Sequence, residues 1–332
     1  MTHFPAQYST LSAMALKKYV EDAYNLRLIS CKFLLRGVSD TYIIEATDAK
    51  YVLKIYREQH RSVEEINGEI ELLNLLKDGG ARVAYPIKDI QGKQLQKFNA
   101  PEGTRYGILF SFAEGAPVLD LNDEQLKTVG REMAIVHNLT SAIQLQHPRR
   151  EYAVETTLNQ PLKSFEPAFK ELPEEYAYLT ETAAKVAQKI ASFDAAKFSY
   201  GYCQYDFMPK NFHFDETGNL TFFDFDFAGK GYLANDLMSF FVHFFVHVYT
   251  GKLSDAEAER MFAVFIKGYR ENRSVTEDEL KAIPYLGVGF WIFYLGFQYE
   301  HFDDWSNLFF GTRFIKDRVA LIRAWVNKYC EF

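Results

Sequence analysis

The chain has 332 residues, 48% of them hydrophobic and 24% charged, with a formal net charge of −7. That length supports two domains or one two-lobed unit, and the mixture excludes large-scale disorder. The acidic balance, with no run of five basic residues, argues against nucleic acid as the main partner.

Cys31, Cys203 and Cys330 lie far apart without CxxC spacing. A disulfide framework or zinc site is not expected, and a reducing, cytoplasmic location is. The start, "MTHFPAQYST", lacks the basic and apolar regions of an export signal. The longest apolar stretch, 237–249, contains two histidines and is too short to span a bilayer, so a soluble protein without a membrane partner is expected. Oligomeric state is not legible.

In chain order, residues 12–24 place Leu16, Tyr19, Val20 and Ala23 on one helical face, with Ser12 as N-cap. "CKFLLRGVSDTYIIEAT" and "KYVLKIYRE" are β-rich and separated by a turn-like "DA". Residues 62–78 return to helical spacing through Ile66, Ile70, Leu73 and Leu76, and Gly79 and Gly80 end the helix. "ARVAYPIKDIQGKQLQKF" and "RYGILFSFAEG" predict three further strands, with turns at "DIQGK" and "NAPEGT". Residues 122–139, 174–192 and 255–271 have helical periodicity, and "NFHFDETGNLTFFDFDF" is a hairpin among helices. The expected fold is α+β, with a small sheet-rich lobe over 1–112 and a larger, mainly helical lobe over 113–332.

Four features converge on one chemistry. Asp206 and Asn211 precede the hairpin and Asp224 follows it, so its closure is expected to bring them together; hard oxygen ligands of this kind suit Mg²⁺ bound to phosphates. Lys54 lies in a strand apolar on both faces, and Glu69 on the apolar side of the following helix. Each buried charge needs a partner, and each is the obvious partner of the other. Taken singly, a snorkelling lysine and a flanking surface glutamate remain alternatives.

The ordered set resembles the aminoglycoside phosphotransferase/choline kinase family, small-molecule kinases with a protein-kinase-like, bilobal fold; homoserine kinases and stress-response kinases form a similar subgroup. The resemblance spans roughly residues 30–240. It rests on an aspartate, an asparagine five residues on, a short hairpin and an aspartate before phenylalanine: Asp206, Asn211, Asp224 and Phe225. "LLRGVSDTYIIE" resembles the phosphate-covering hairpin, "ILFSFAEGAP" the inter-lobe hinge, and "GYLANDLMSFF" the stretch whose aspartate, Asp236, braces the catalytic region.

The resemblance implies ATP and Mg²⁺ as cofactors and a small-molecule hydroxyl as acceptor. Asp206 would be the catalytic base, with Asn211 and Asp224 on the metal. Lys54, held by Glu69, would contact the α- and β-phosphates. Backbone from Gly37 through Ser39 to Thr41 would cover the phosphates, and Ser111, Phe112 and Ala113 would bind adenine. Asp226 is a further metal or substrate group, or a solvated or hairpin-bracing one. The family's His-Gly-Asp is here Gln204-Tyr205-Asp206, and its second histidine is Met208. Tyr205 in place of glycine is expected to fill space beside the reacting hydroxyl.

The aromatic segment 289–305, closing with Glu300, Asp303 and Asp304, either packs in the core or offers an amino alcohol or aminosugar aromatic faces and carboxylates. A pseudokinase or nucleotide-binding scaffold is the alternative that the altered loop allows. A protein Ser/Thr kinase is the other, disfavoured by the short interval between Asp224 and Asp236.

Overall fold

The first helix, α1 (Ala13–Tyr24), begins where Ser12 Oγ accepts a hydrogen bond from Ala15 N–H. Its buried side chains, Leu16, Val20 and Tyr24, pack on Leu28, Tyr42, Ile44, Leu53, Ile55 and Leu109. Each such side chain contributes about 1.5–3 kcal/mol by leaving water. A computed structural model describes residues 4–57, 60–301 and 310–332. The chain forms two compact units: the first comprises residues 1–117, 144–149 and 212–226, the second 118–143, 150–211 and 227–332.

In the first unit, β1 (Leu28–Arg36), β2 (Ser39–Ala46), β3 (Lys50–Tyr56), β4 (Leu95–Ala100) and β5 (Gly103–Ser111) form an antiparallel sheet in the order β1-β2-β3-β5-β4. Tyr42 pairs with Leu53, and Thr41 with Lys54. Because side chains alternate, Tyr42 and Leu53 face α1 while Lys54 points to the opposite side of the sheet. There, α2 (Val63–Asp78) starts in a capping box between Ser62 and Glu65 and buries Ile66, Glu69, Leu72, Leu73 and Leu76.

The strand expected within residues 81–89 is not formed. The segment makes only isolated bridges, Val83 to Phe222 and Pro86 to Phe110, since Pro86 has no N–H for a continuous ladder. The hairpin is present as β8 (Phe212–Phe214) and β9 (Leu220–Phe222). Asp215 Oδ1 accepts from the N–H groups of Thr217 and Asn219, both at 2.9 Å, and closes the turn. The Thr217 hydroxyl and these amides hold the Asp215 carboxyl down at about 2. Gly115, at φ +93°, crosses this hairpin so closely that a Cβ would stand 1.9 Å from the Phe214 carbonyl oxygen.

The second unit is mainly helical: α3 (Asp123–Thr140), α4 (Gln160–Phe165), α5 (Pro173–Ser192), α6 (Ala234–Tyr249), α7 (Asp255–Arg270), α8 (Glu277–Glu300) and α9 (Thr312–Tyr329). It also carries a sheet absent from the sequence reading: β6 (Arg150–Tyr152), β7 (Tyr200–Cys203) and β10 (Gly229–Tyr232), in the order β6-β10-β7. Strands this short, one of them reading "GKGY", carry no alternating apolar signal. α8 is long and apolar enough to cross a membrane, but 78% of its most apolar window is buried inside the protein, as in a core helix.

Candidate active site

Strand register and one charged helix position build the first cluster, all in the first unit. Lys54 Nζ donates to Asp224 Oδ1 at 2.8 Å and lies 3.9 Å from Asp226 Oδ1. Burial alone would pull the Lys54 ammonium down, but Asp224, Asp226 and Glu69 together leave it raised. Glu69 is not the direct partner that the sequence suggested. Its Oε2 accepts from the Tyr56 hydroxyl at 3.1 Å and stands 4.0 Å from Arg149 Nη1. Burial pushes its carboxyl up, and Lys54 acts on it only at longer range.

Asp224 sits at φ +61°, a left-handed conformation that aspartate tolerates better than most residues, and its side chain is 46% accessible. Asp226 is 1% exposed and 3.4 Å from Arg61 Nε, which removes the solvated role considered for it. Arg149 Nη2 donates to the carbonyls of Phe225 (2.9 Å) and Asp226 (2.8 Å), while Nη1 donates to Glu65 O at 2.7 Å. One guanidinium thus ties α2 to the Asp224–Asp226 segment. The sequence held no signal for this, because the acceptors are backbone carbonyls 76 and more residues away.

The other first-unit candidates are less free than expected. Gly37 N–H donates to Ser39 O, and Gly37 O accepts from Arg57 Nη2 at 2.6 Å. A Cβ on Gly37 would meet only ordinary contacts, so internal packing does not demand glycine there. Ser39 is buried at the start of β2. Ser111 N–H donates to Tyr85 O, and Ser111 Oγ accepts from Tyr85 N–H. Ala113 O is hydrogen-bonded to His213 Nδ1 at 2.7 Å, with Phe112 edge-on to the same imidazole.

The second unit holds the loop. Asp206 is 5% exposed, and its Oδ2 accepts from Asn211 Nδ2 at 2.9 Å and pairs with Lys210 Nζ at 2.7 Å. Asn211 Nδ2 also donates to the Asp206 carbonyl, so the five-residue spacing is a closed local turn. Asp236, fully buried, accepts from Tyr205 N–H at 2.7 Å through Oδ1 and from Gln204 N–H at 2.9 Å through Oδ2. The brace expected at this aspartate is therefore present.

Behind Asp236, His137 Nε2 lies 3.0 Å from Asp236 Oδ2, and His137 Nδ1 lies 2.8 Å from Tyr269 Oη. Sequence reasoning passed over His137, although it sits four residues after buried Met133, at a core register position of its helix.

Tyr205 does not stand in open space. It is 0% exposed, and its ring stacks on Tyr152 at 3.5 Å between centroids, with Phe293 edge-on at 5.3 Å. Its φ of +67° explains why a glycine suits this position, and here the backbone strain, about 1–3 kcal/mol, is offset by aromatic packing. Of the acidic residues considered for the acceptor, Glu300 accepts from Ser164 Oγ at 2.7 Å, and Asp303 and Asp304 lie outside the described residues.

Residues 30–273 match the phosphotransferase enzyme family, and the chain belongs to it, as a kinase acting on small molecules. It is 27% identical over 284 residues to the amicoumacin kinase of Bacillus subtilis, covering 82% of this chain and 80% of that protein. The fold is protein-kinase-like. It is similar to a solved amicoumacin kinase in complex with AMP-PNP, Ca²⁺ and Ami (TM-score 0.74, 20% identity, 95% of this chain and 92% of that one). A microcompartment-associated aminopropanol kinase is equally similar (TM-score 0.74, 17% identity, 94% and 95%).

Proposed function

We propose that the protein is an ATP- and Mg²⁺-dependent kinase that transfers the γ-phosphate to a hydroxyl of a small amino alcohol or aminosugar. The observation that carries the reading is Asp206, nearly buried, clamped by Asn211 Nδ2 and set on a loop whose backbone Asp236 braces. In this reading Asp206 orients the acceptor hydroxyl and takes its proton as the phosphoryl group moves. Asn211 Oδ1 in the second unit and the partly accessible Asp224 carboxylate in the first are each hard oxygen donors of the kind that suits Mg²⁺, and in the first unit Asp226 shares Lys54 with Asp224. That ion, when bound, neutralises charge on the nucleotide phosphates. Lys54, raised and buried, is a fixed cation for the α- and β-phosphates, and the turn around Gly37 and Ser39 covers them. Ser111–Ala113 is the adenine-facing segment.

The relatives support a small acceptor, since amicoumacin kinase and aminopropanol kinase are named for small molecules. The test is Mg·ATP turnover against a panel of amino alcohols and aminosugars, with Asp206→Ala as control. The variant should bind nucleotide as the wild type does and lose about 10²–10⁴-fold in kcat. Wild-type kcat in that variant, or no Mg²⁺-dependent nucleotide binding by the native protein, refutes the reading.

A further inference from the structure

Residues 144–149 have no regular structure, yet they belong to the first unit and are fastened along α2. Glu71 accepts from the N–H groups of Gln146 at 2.9 Å and His147 at 3.1 Å. One turn earlier on α2, Gly68 makes room for the end of the segment: a Cβ there would stand 2.9 Å from both Arg149 Cδ and the Pro148 carbonyl oxygen. Glycine inside a helix weakens it, so this position trades helix strength for the close approach of Arg149.

The Arg149 side chain is 2% exposed, and a guanidinium so enclosed needs hydrogen-bond partners. Its fork spans two elements: Nη1 donates to Glu65 O on α2 at 2.7 Å, and Nη2 to the carbonyls of Phe225 at 2.9 Å and Asp226 at 2.8 Å. The Asp226 carbonyl also accepts from Arg61 Nη2 at 3.3 Å, the longer of the two bonds. Both carbonyls follow directly on Asp224, whose φ of +61° persists only where its surroundings fix it. The Asp224 side chain is 46% accessible, so its backbone, more than packing, sets where the carboxylate stands.

We propose that Arg149 is a positioning residue for the metal-binding carboxylate: braced on α2, it fixes the backbone after Asp224 and thereby the place of the oxygen offered to Mg²⁺. The proposal rests on the reading of Asp224 as a metal ligand. Lysine is no substitute here. An ammonium keeps the charge, but its three N–H groups radiate from one nitrogen, whereas the two Nη atoms of the guanidinium hold α2 and the Phe225–Asp226 carbonyls at once.

The test uses Arg149→Lys and, as a second variant, Gly68→Ala, which keeps the arginine but pushes on its Cδ. Hydrogen exchange of the 224–226 amides is followed in the free protein, and AMP-PNP binding is measured by calorimetry without Mg²⁺ and over a series of Mg²⁺ concentrations. Exchange at 224–226 should quicken while β3 and β5 keep wild-type protection. The Mg²⁺ concentration that half-maximally tightens AMP-PNP binding should rise about three- to tenfold, as fits the loss of one hydrogen bond. Metal-free AMP-PNP affinity should not change. Arg149→Lys decides where β3 and β5 show that it folds, and Gly68→Ala where it does not. An unchanged Mg²⁺ midpoint in the deciding variant overturns the proposal. So does an affinity that falls equally with and without Mg²⁺, since that marks general damage to the fold. A wild type whose AMP-PNP binding ignores Mg²⁺ overturns the metal reading and the proposal with it, a failure seen before any variant is compared.

Discussion

Replacing Asp236 by asparagine tests whether the loop geometry depends on one buried carboxylate. Asp236 is 0% exposed and serves three groups: Tyr205 N–H on Oδ1, and Gln204 N–H with His137 Nε2 on Oδ2. An asparagine keeps one oxygen. If that oxygen stays with Tyr205, the new NH₂ faces the Gln204 N–H; if it turns to Gln204, the NH₂ faces the Tyr205 N–H. His137 can adapt by changing tautomer, because Tyr269 Oη can donate to Nδ1 or accept from it, but a backbone N–H cannot. Either orientation loses one charge-assisted bond, about 1.5–3 kcal/mol, and leaves a buried donor facing another donor. Removing a buried charge returns part of that, so the net loss should be about 2–4 kcal/mol. For a chain of this size that is a fall of roughly 4–16 °C in Tm. The left-handed Tyr205 backbone also loses one of its two restraints, so Asp206 should be misplaced and kcat should drop about 10- to 100-fold. Calorimetry and steady-state turnover on Asp236→Asn check both outcomes; a Tm within about 2 °C of wild type together with unchanged kcat would refute the reasoning.

Tyr205→Gly should relieve the left-handed strain of about 1–3 kcal/mol yet lose a fully buried ring, so the variant should be destabilised by about 2–4 kcal/mol in urea unfolding; a gain in stability would show that the Tyr152 stack contributes little. Burial, and then His247, lower His243 to about 4. The fold thus favours neutral His243, and stability present above pH 6.5 should fall by up to about 3 kcal/mol as pH drops to 4, then level off. His243→Asn should remove that part of the acid slope, and an identical urea midpoint against pH in the variant would reject the assignment.

Much of the fold was legible because its signals are local. Ser12 and the Ser62–Glu65 box lie within one turn of the helices that they start, and the apolar spacing of α1 and α2 depends only on helical period. The Asp215 turn is likewise written in five consecutive residues, and alternation alone put Lys54 and Leu53 on opposite faces of β3. Asp206 and Asn211 were legible as a pair because they join through a closed turn between them.

What the tertiary structure decided are the partners that come from far along the chain. Lys54 meets Asp224, 170 residues away, rather than Glu69 in the next helix, and Glu69 turns to Tyr56 and Arg149. The three-stranded sheet of β6, β10 and β7 pairs segments with no apolar alternation of their own, so only assembly reveals it. Tyr205 read as an obstruction because a residue's type says how large its ring is, not where it goes; the positive φ sends it into the Tyr152 stack. Sequence by itself determined which chemical groups were present and which short turns and helices would hold them. Tertiary packing decided which charges neutralise each other, since burial and long-range contacts set the cost of every polar group that the chain encloses.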